Sequence, residues 1–363
     1  MEIGNMRFKA SLKTRSLSLS LLILLVCICP PALGSDARFS SGKSALAIPF
    51  ELEDNIIYVP VSINGSKALS FILDTGAYTI VHLRHARELG VKLKLTGQTG
   101  GVGDEQEDVF LAAEKVSFSL PGVTLSNQRL LAISLGKVED CVNEFVVDEE
   151  GRLASFAQPA PKGVRRKVDG ILGKEFFGSF VVEIDYASRL INVYEPRSYK
   201  YAGKGERLTL DVAPQHIFVQ AQISTRAREP LTARFLVDTG GAMALTLTKR
   251  FTEEHRLLPP REELTDVPLC GIAGMMKERS LLGNIEAVQL GSLKIMNPTV
   301  EFRRAPVTYD FDGFIGGSVL RRHKVIFDYS RRRMIMEPAG GKVSRESVRP
   351  PGKAQSNDSF NRS

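Results

Sequence analysis

Asp74-Thr75-Gly76 and Asp238-Thr239-Gly240 are two copies of one triplet, each placed at the end of an apolar run. Phe71-Ile72-Leu73 leads into the first and Phe235-Leu236-Val237 into the second. A carboxylate at the end of a buried strand, followed by a turn, is held in position rather than merely solvated. Two such carboxylates facing each other can share one proton and hold a water between them. A pair of that kind is equipped for general acid–base attack on a peptide bond without a metal or a covalent intermediate. Gly76 and Gly240 let the chain turn sharply beneath each carboxylate. Thr75 and Thr239 bring hydroxyls that can donate to backbone across an interface between the two copies.

A single Asp-Thr-Gly is weak, because Asp and Gly are ordinary turn residues. A given triplet arises by chance in roughly 5% of chains of this length. The surroundings decide the matter, because they repeat as well. Asp169-Gly170-Ile171-Leu172-Gly173 recurs as Asp312-Gly313-Phe314-Ile315-Gly316. Sixteen residues after each Asp stands an Asp-Tyr pair, Asp185-Tyr186 and Asp328-Tyr329, and each is followed by Arg and then Glu-Pro. Upstream, Ile57–Ile63 and Ile217–Ile223 both alternate apolar and polar residues, the period of a half-buried strand. Asn64-Gly65 signals a tight hairpin in the first copy, and the second copy predicts a longer turn through Thr225 to Pro230.

On these motifs the chain resembles the retropepsin/pepsin-like aspartic peptidases, with two retropepsin-like halves in one polypeptide. The resemblance spans nearly all of residues 45–338. It implies an all-β, bilobal fold with a few short helices, Asp74 and Asp238 as a catalytic dyad, and Thr75 and Thr239 as an interlocked pair. It also implies that the two hydrophobic-hydrophobic-Gly segments pass under the catalytic loops and brace them. Gly76 and Gly240 complete the support of the dyad. No cofactor and no metal is expected.

Three features depart from the pepsin pattern. Ala77 and Gly241 stand where pepsins place Ser or Thr, and without a hydroxyl to favour the charged carboxylate the working pH should be less acidic. The flap candidate, Gly97–Gly103 with Gly100, Gly101 and Gly103, carries no Tyr, and a second candidate appears at Gly271–Met276 with Gly271 and Gly274. One flap per half is closer to retropepsins, and the glycine density suits a moving lid. A flexible loop is the plainer account of these glycines. Only Ser35 to Ala45 separates the export signal from the first strand, which argues against a removable inhibitory pro-segment.

Residues 1–34 read as a secretory signal: Arg7, Lys9, Lys13 and Arg15, then an apolar run from Leu17 to Cys29, then small residues before Ser35. An apolar run of about thirteen residues covers only ~20 Å, short of a ~30 Å hydrocarbon core, so a stable membrane span is not expected. The predicted location is periplasmic or secreted. Half one runs over residues 35–200, half two over 201–338, and 339–363 form a polar, disordered tail. The whole chain carries +7. Without residues 1–34 it keeps 44 basic against 40 acidic side chains, too even a balance to point to nucleic acid. Arg321-Arg322 and Arg331-Arg332-Arg333 read as solvated turn and helix-end residues.

Cys141 and Cys270, one per half, can pair in an oxidising compartment or remain free. Short helices are predicted over Leu83–Leu89 and Thr248–His255, and after each brace near Lys174–Phe177 and Ser318–Arg321. The stretch from Cys141 to Lys167, present in the first copy alone, reads as a surface insertion. His82 and His85 share a helix face, but a metal would need two further ligands. The expected partner is a peptide or protein substrate, bound by a monomer with two pseudo-symmetric lobes. A second reading, from a different class, is an exported module that binds peptide or protein and keeps the fold without turnover. Loss of one Asp would favour it, and neither is lost.

Overall fold

Alternating apolar residues set the strands that carry the triplets. In Ile56–Ile63 and Leu69–Leu73 the inward side chains Ile57, Val59, Val61, Phe71 and Leu73 are fully or almost fully buried. Ile217–Thr225 and Arg228–Val237 repeat the pattern with Ile217, Val219, Ile223, Phe235 and Val237. The computed structural model describes residues 36–156, 166–213, 216–225, 228–305 and 310–339. The expected signal segment and polar tail lie outside these residues.

The fold is all-β with short helices. One eleven-stranded sheet is built from the first half and one ten-stranded sheet from the second. Their strand orders correspond. In the first, 116–120, 56–63, 69–73, 170–172, 80–82, 131–133, 107–112 and 93–99 lie side by side. In the second, 287–290, 217–225, 228–237, 313–315, 245–247, 299–302, 280–284 and 265–267 take the same places. A third, six-stranded sheet is shared: Val181–Asp185 pairs antiparallel with His323–Asp328, setting Val182 opposite Phe327 and Ile184 opposite Val325. All these side chains are completely buried. Contacts hold the described residues together as one unit.

The predicted helices form at Leu83–Glu88, Lys249–Glu254, Lys174–Ser179 and Gly317–Leu320. His82 is the N-cap of the first, its Nδ1 accepting from Arg84 N–H, and its ring stands edge-on to that of His85, with centroids 6.3 Å apart. The Asn64-Gly65 turn is present, both residues at positive φ. The second copy's turn is tighter than expected. Its ladder continues to Thr225 opposite Arg228, with a register shift after Ile223 absorbing the extra residues. No helix among the described residues is long and apolar enough to cross a membrane.

The first-half insertion lies at the surface, with the Glu149 side chain 75% exposed, but it is structured and packs on the second half. It begins in the helix Gly136–Glu144 and continues as a hairpin, Phe145–Val147 with Leu153–Phe156. Its turn packs on the second half: Ser318 Oγ donates to Glu149 O at 2.7 Å, and Arg321 reaches Glu149 at 2.9 Å. The Pro159-Ala160-Pro161 stretch lies outside the described residues.

Candidate active site

Each triplet leaves its strand at the point where a brace strand runs beside it. Gly170–Leu172 pairs parallel with Leu69–Leu73 and antiparallel with Ile80–His82. Gly313–Ile315 does the same with Arg228–Val237 and Leu245–Leu247. The brace carbonyls then fix the triplet loops: Asp74 N–H donates to Leu172 O at 3.0 Å and Asp238 N–H to Ile315 O at 2.9 Å. Just beyond, Lys174 N–H binds Ala77 O and Gly317 N–H binds Gly241 O.

The two loops interlock through their threonines. Thr75 Oγ1 donates to Val237 O at 2.7 Å and accepts from Thr239 N–H at 3.1 Å. Thr239 Oγ1 donates to Leu73 O at 2.8 Å and accepts from Thr75 N–H at 3.0 Å. Both threonines are buried, so four hydrogen bonds without competing water tie one loop to the other.

Above this link the two carboxylates meet, half-buried. Asp74 Oδ1 accepts from Gly76 N–H at 2.6 Å and Asp238 Oδ1 from Gly240 N–H at 3.0 Å. The space for each carboxylate is made by the other loop's glycine: a Cβ on Gly240 would lie 2.5 Å from the Asp74 carboxyl carbon. Burial, then the facing Asp238 charge, pushes the Asp74 carboxyl well above the usual carboxylate range, against the N–H groups of Gly76 and Gly240. Burial also raises Asp238, while the hydrogen bond with Asp74, the N–H groups of Gly240 and Gly241 and the Arg303 charge pull the other way. Two interacting acids lose their protons in two steps, and between those steps the pair holds one proton.

Both flap candidates are hairpins, and their tips touch. Leu93–Thr99 pairs with Glu107–Ala112, and Cys270–Gly271 with Gly274–Met275. Ala273 N–H donates to Val102 O at 2.9 Å, Glu105 N–H to Ala273 O at 3.2 Å, and Lys277 N–H to Asp104 Oδ2 at 2.6 Å. Gly103 has φ 130°, and a Cβ there would collide with the Ala273 carbonyl. Gly101 abuts Ile272, Gly271 abuts Val102, and Gly274 lies over Lys137. Gly100 has open space around it. Cys141 and Cys270 are joined as a disulfide with Cα atoms 5.7 Å apart. The second hairpin is thereby stapled to the helix Gly136–Glu144 of the first half.

Sequence reasoning missed several supporting residues. Asp169 Oδ2 accepts from Ser70 N–H, and Asp312 Oδ2 accepts from Arg234 N–H. The other oxygen of each meets an Arg two residues past a helix N-cap, Arg84 and Arg250. Aligning His82-Leu83-Arg84 with Thr248-Lys249-Arg250 would have exposed that pair. Asn55, buried at φ 66°, donates from Nδ2 to Asp148 O and Ala242 O and accepts from Arg321 at Oδ1. Arg321 is therefore engaged rather than solvated. Arg331 and Arg333 likewise bind the buried Asp328. His85 meets Asp169 and Glu88, and among the described residues no group of His, Cys, Asp and Glu could hold a metal ion.

No curated protein matches the chain. Residues 59–176 match the family model described as aspartyl protease, a span that includes Asp74, the first hairpin and the first brace. The second triplet lies beyond that span, and the strand-for-strand repetition relates it to the first. On the matched span and the repeated all-β architecture, the chain is similar to the retropepsin-like aspartic peptidases.

Proposed function

We propose that the protein is an exported aspartic endopeptidase that works as a monomer, each half supplying one carboxylate, Asp74 and Asp238. The observation that carries this reading is the meeting of the two carboxylates above the threonine link, with both held above their ordinary ionisation range. The aspartyl protease match supports peptidase chemistry in general. The ionised partner takes a proton from a water between the two acids. The water oxygen bonds to the peptide carbonyl carbon, and the protonated partner donates to the carbonyl oxygen. The resulting diol collapses as the C–N bond breaks and the amine leaves with a proton. The work is general acid–base catalysis by a pair whose environments raise both pKa values.

In this reading the two touching hairpins would close over an extended peptide, which main-chain hydrogen bonds would hold strand-like. Entry requires the tips to part. Ala77 and Gly241 bring no hydroxyl to the carboxylates, so a maximum at a less acidic pH than a gastric enzyme's is expected. Export is supported by the basic and apolar amino-terminal pattern and by the Cys141–Cys270 disulfide, which persists in oxidising compartments. Peptide-pool digestion from pH 3 to 8, followed by mass spectrometry, tests the reading. Cleavage with a rise and fall in pH supports it. Peptide binding without cleavage across the whole range would favour the binding module instead.

A further inference from the structure

The registers of the two large sheets allow a residue-for-residue comparison beside the carboxylates. Ile171 lies opposite Ile80, and Ile80 opposite Leu131. At the same places in the second half, Phe314 lies opposite Thr246, and Thr246 opposite Glu301. Two residues on, Ile133 corresponds to Arg303. On the next strand, Val109 corresponds to Ser280. One face is thus wholly apolar in the first half and mostly polar in the second. In the first half its apolar cluster takes in Ala242 and Ile272, from the catalytic loop and hairpin tip of the second half. The face therefore turns towards the second half. In the second half, Arg303 is near enough to Asp238 for its charge to act on that carboxylate.

The polar face is incompletely satisfied. Glu301 is 3% exposed and both its oxygens are engaged, by Thr246 Oγ1 at 2.9 Å and Ser280 Oγ at 2.7 Å. Arg303 is 8% exposed, with its guanidinium carbon 4.7 Å from the Phe314 ring centre. Its Nε stands 3.7 Å from Glu301 Oε1 and has no hydrogen-bond partner among the described residues. A buried donor left unmade is costly, and an acceptor oxygen arriving with a ligand would relieve that cost.

We propose that Arg303 is a specificity residue that donates to a carboxyl or carboxamide oxygen on a substrate side chain lying against the second half. The corresponding first-half face, with Ile80, Ile133 and Ile171, takes an apolar side chain. The preferred peptides then carry Glu, Gln, Asp or Asn on one side of the cut and an apolar residue on the other. This assignment rests on the peptidase reading above. Glu301 already offsets the Arg303 charge, so carboxamide and carboxylate side chains should compete closely.

The test is binding of octapeptide pools to the full chain carrying Asp74→Asn, with Leu, Gln, Glu or Lys fixed at each position in turn. At one position Gln or Glu should bind about tenfold tighter than Leu, the scale of one hydrogen bond to a charged group. Adding Arg303→Met should abolish that preference while leaving the apolar preference elsewhere. Glu301→Gln, which keeps the side chain's size, should shift the preference from Gln towards Glu. An oxygen-bearing preference that survives Arg303→Met, a preference for Leu at every position, or no shift with Glu301→Gln would overturn the assignment. Wild-type cleavage of the same pools is read separately: an intact Arg303-dependent preference without cleavage would sink the peptidase reading and keep this one.

Discussion

Asp169 and Asp312 make the same main-chain contacts in the two halves but sit in different surroundings. Each pins its brace to the strand that leads to one Asp-Thr-Gly triplet. Asp169 is answered by Arg84 and His85, and Arg84 is shared with Glu139 from the inserted helix. Asp312 is answered by Arg250, whose side chain is 52% exposed against 33% for Arg84. The backbone scheme that positions the carboxylates repeats faithfully, while the side chains around it have diverged. The same division separates the apolar Ile80 face from the Thr246, Glu301 and Arg303 face. The backbone scheme is thus common to both halves, and the side chains on this face are where they differ.

The largest expected effect comes from the covalent link that one half makes to the other. The Cys141–Cys270 bridge spans 129 residues of sequence, and closing so long a loop stabilises by about 4–5 kcal/mol in the chain-entropy account. The double Cys→Ser variant should show that loss in denaturant midpoints, and an unchanged midpoint would mean that the hairpin contacts alone hold the halves. Next come the threonines, which should be equivalent. Thr75→Ala and Thr239→Ala each remove two buried hydrogen bonds, about 2–4 kcal/mol. Clearly unequal losses in thermal melts would break the symmetry of the link.

Asp169→Asn and Asp312→Asn should divide the halves. The first leaves a partly buried Arg84 with less compensation and should cost about 1–3 kcal/mol, discounted for its exposure. The second touches an exposed pair and should cost about 1 kcal/mol or less. Burial raises the Asp169 carboxyl, but the Ser70 N–H, Arg84 and His85 outweigh it and the net shift is downward. Its stabilisation is therefore present above the unfolded value of 3.8 and lost as pH falls through the lower folded value. Melting curves of wild type and Asp169→Asn should converge on acidification through that window.

The smallest effect has the opposite sign. Asp74 and Asp238 are raised, so the folded state keeps a proton that the unfolded chain has released. That favours the fold below 3.8 and works against it as pH rises through the folded values. Asp238→Asn should melt slightly higher than wild type at pH 7, and the gap should close below pH 3.8. A variant that melts lower at pH 7 would contradict the raised ionisation of the pair.

Local sequence was enough for the parts built from local rules. Period-two runs set the strands, the Asn64-Gly65 pair set its turn, and the repeated Asp-Gly-hydrophobic segments located the braces. The turn after Thr225 was misread because composition does not show how far a ladder runs before it reverses. Asn55, Arg84 and Arg303 went unnoticed because their partners lie far away in sequence; Arg321 meets Asn55 across 266 residues. The insertion looked like a plain surface loop because its polar residues give no sign of the second half that they touch. Pairing of Cys141 with Cys270 stayed open for the same reason, since spacing along the chain does not report distance in space.

The central claim is that one carboxylate from each half acts in a single reaction. Peptide cleavage by wild type, Asp74→Asn and Asp238→Asn, with folding checked by melting, tests it most directly. Each substitution should lower kcat by about 10²–10⁴ or more, to a similar extent and in a folded protein. Cleavage at the wild-type rate by either folded variant would contradict the claim.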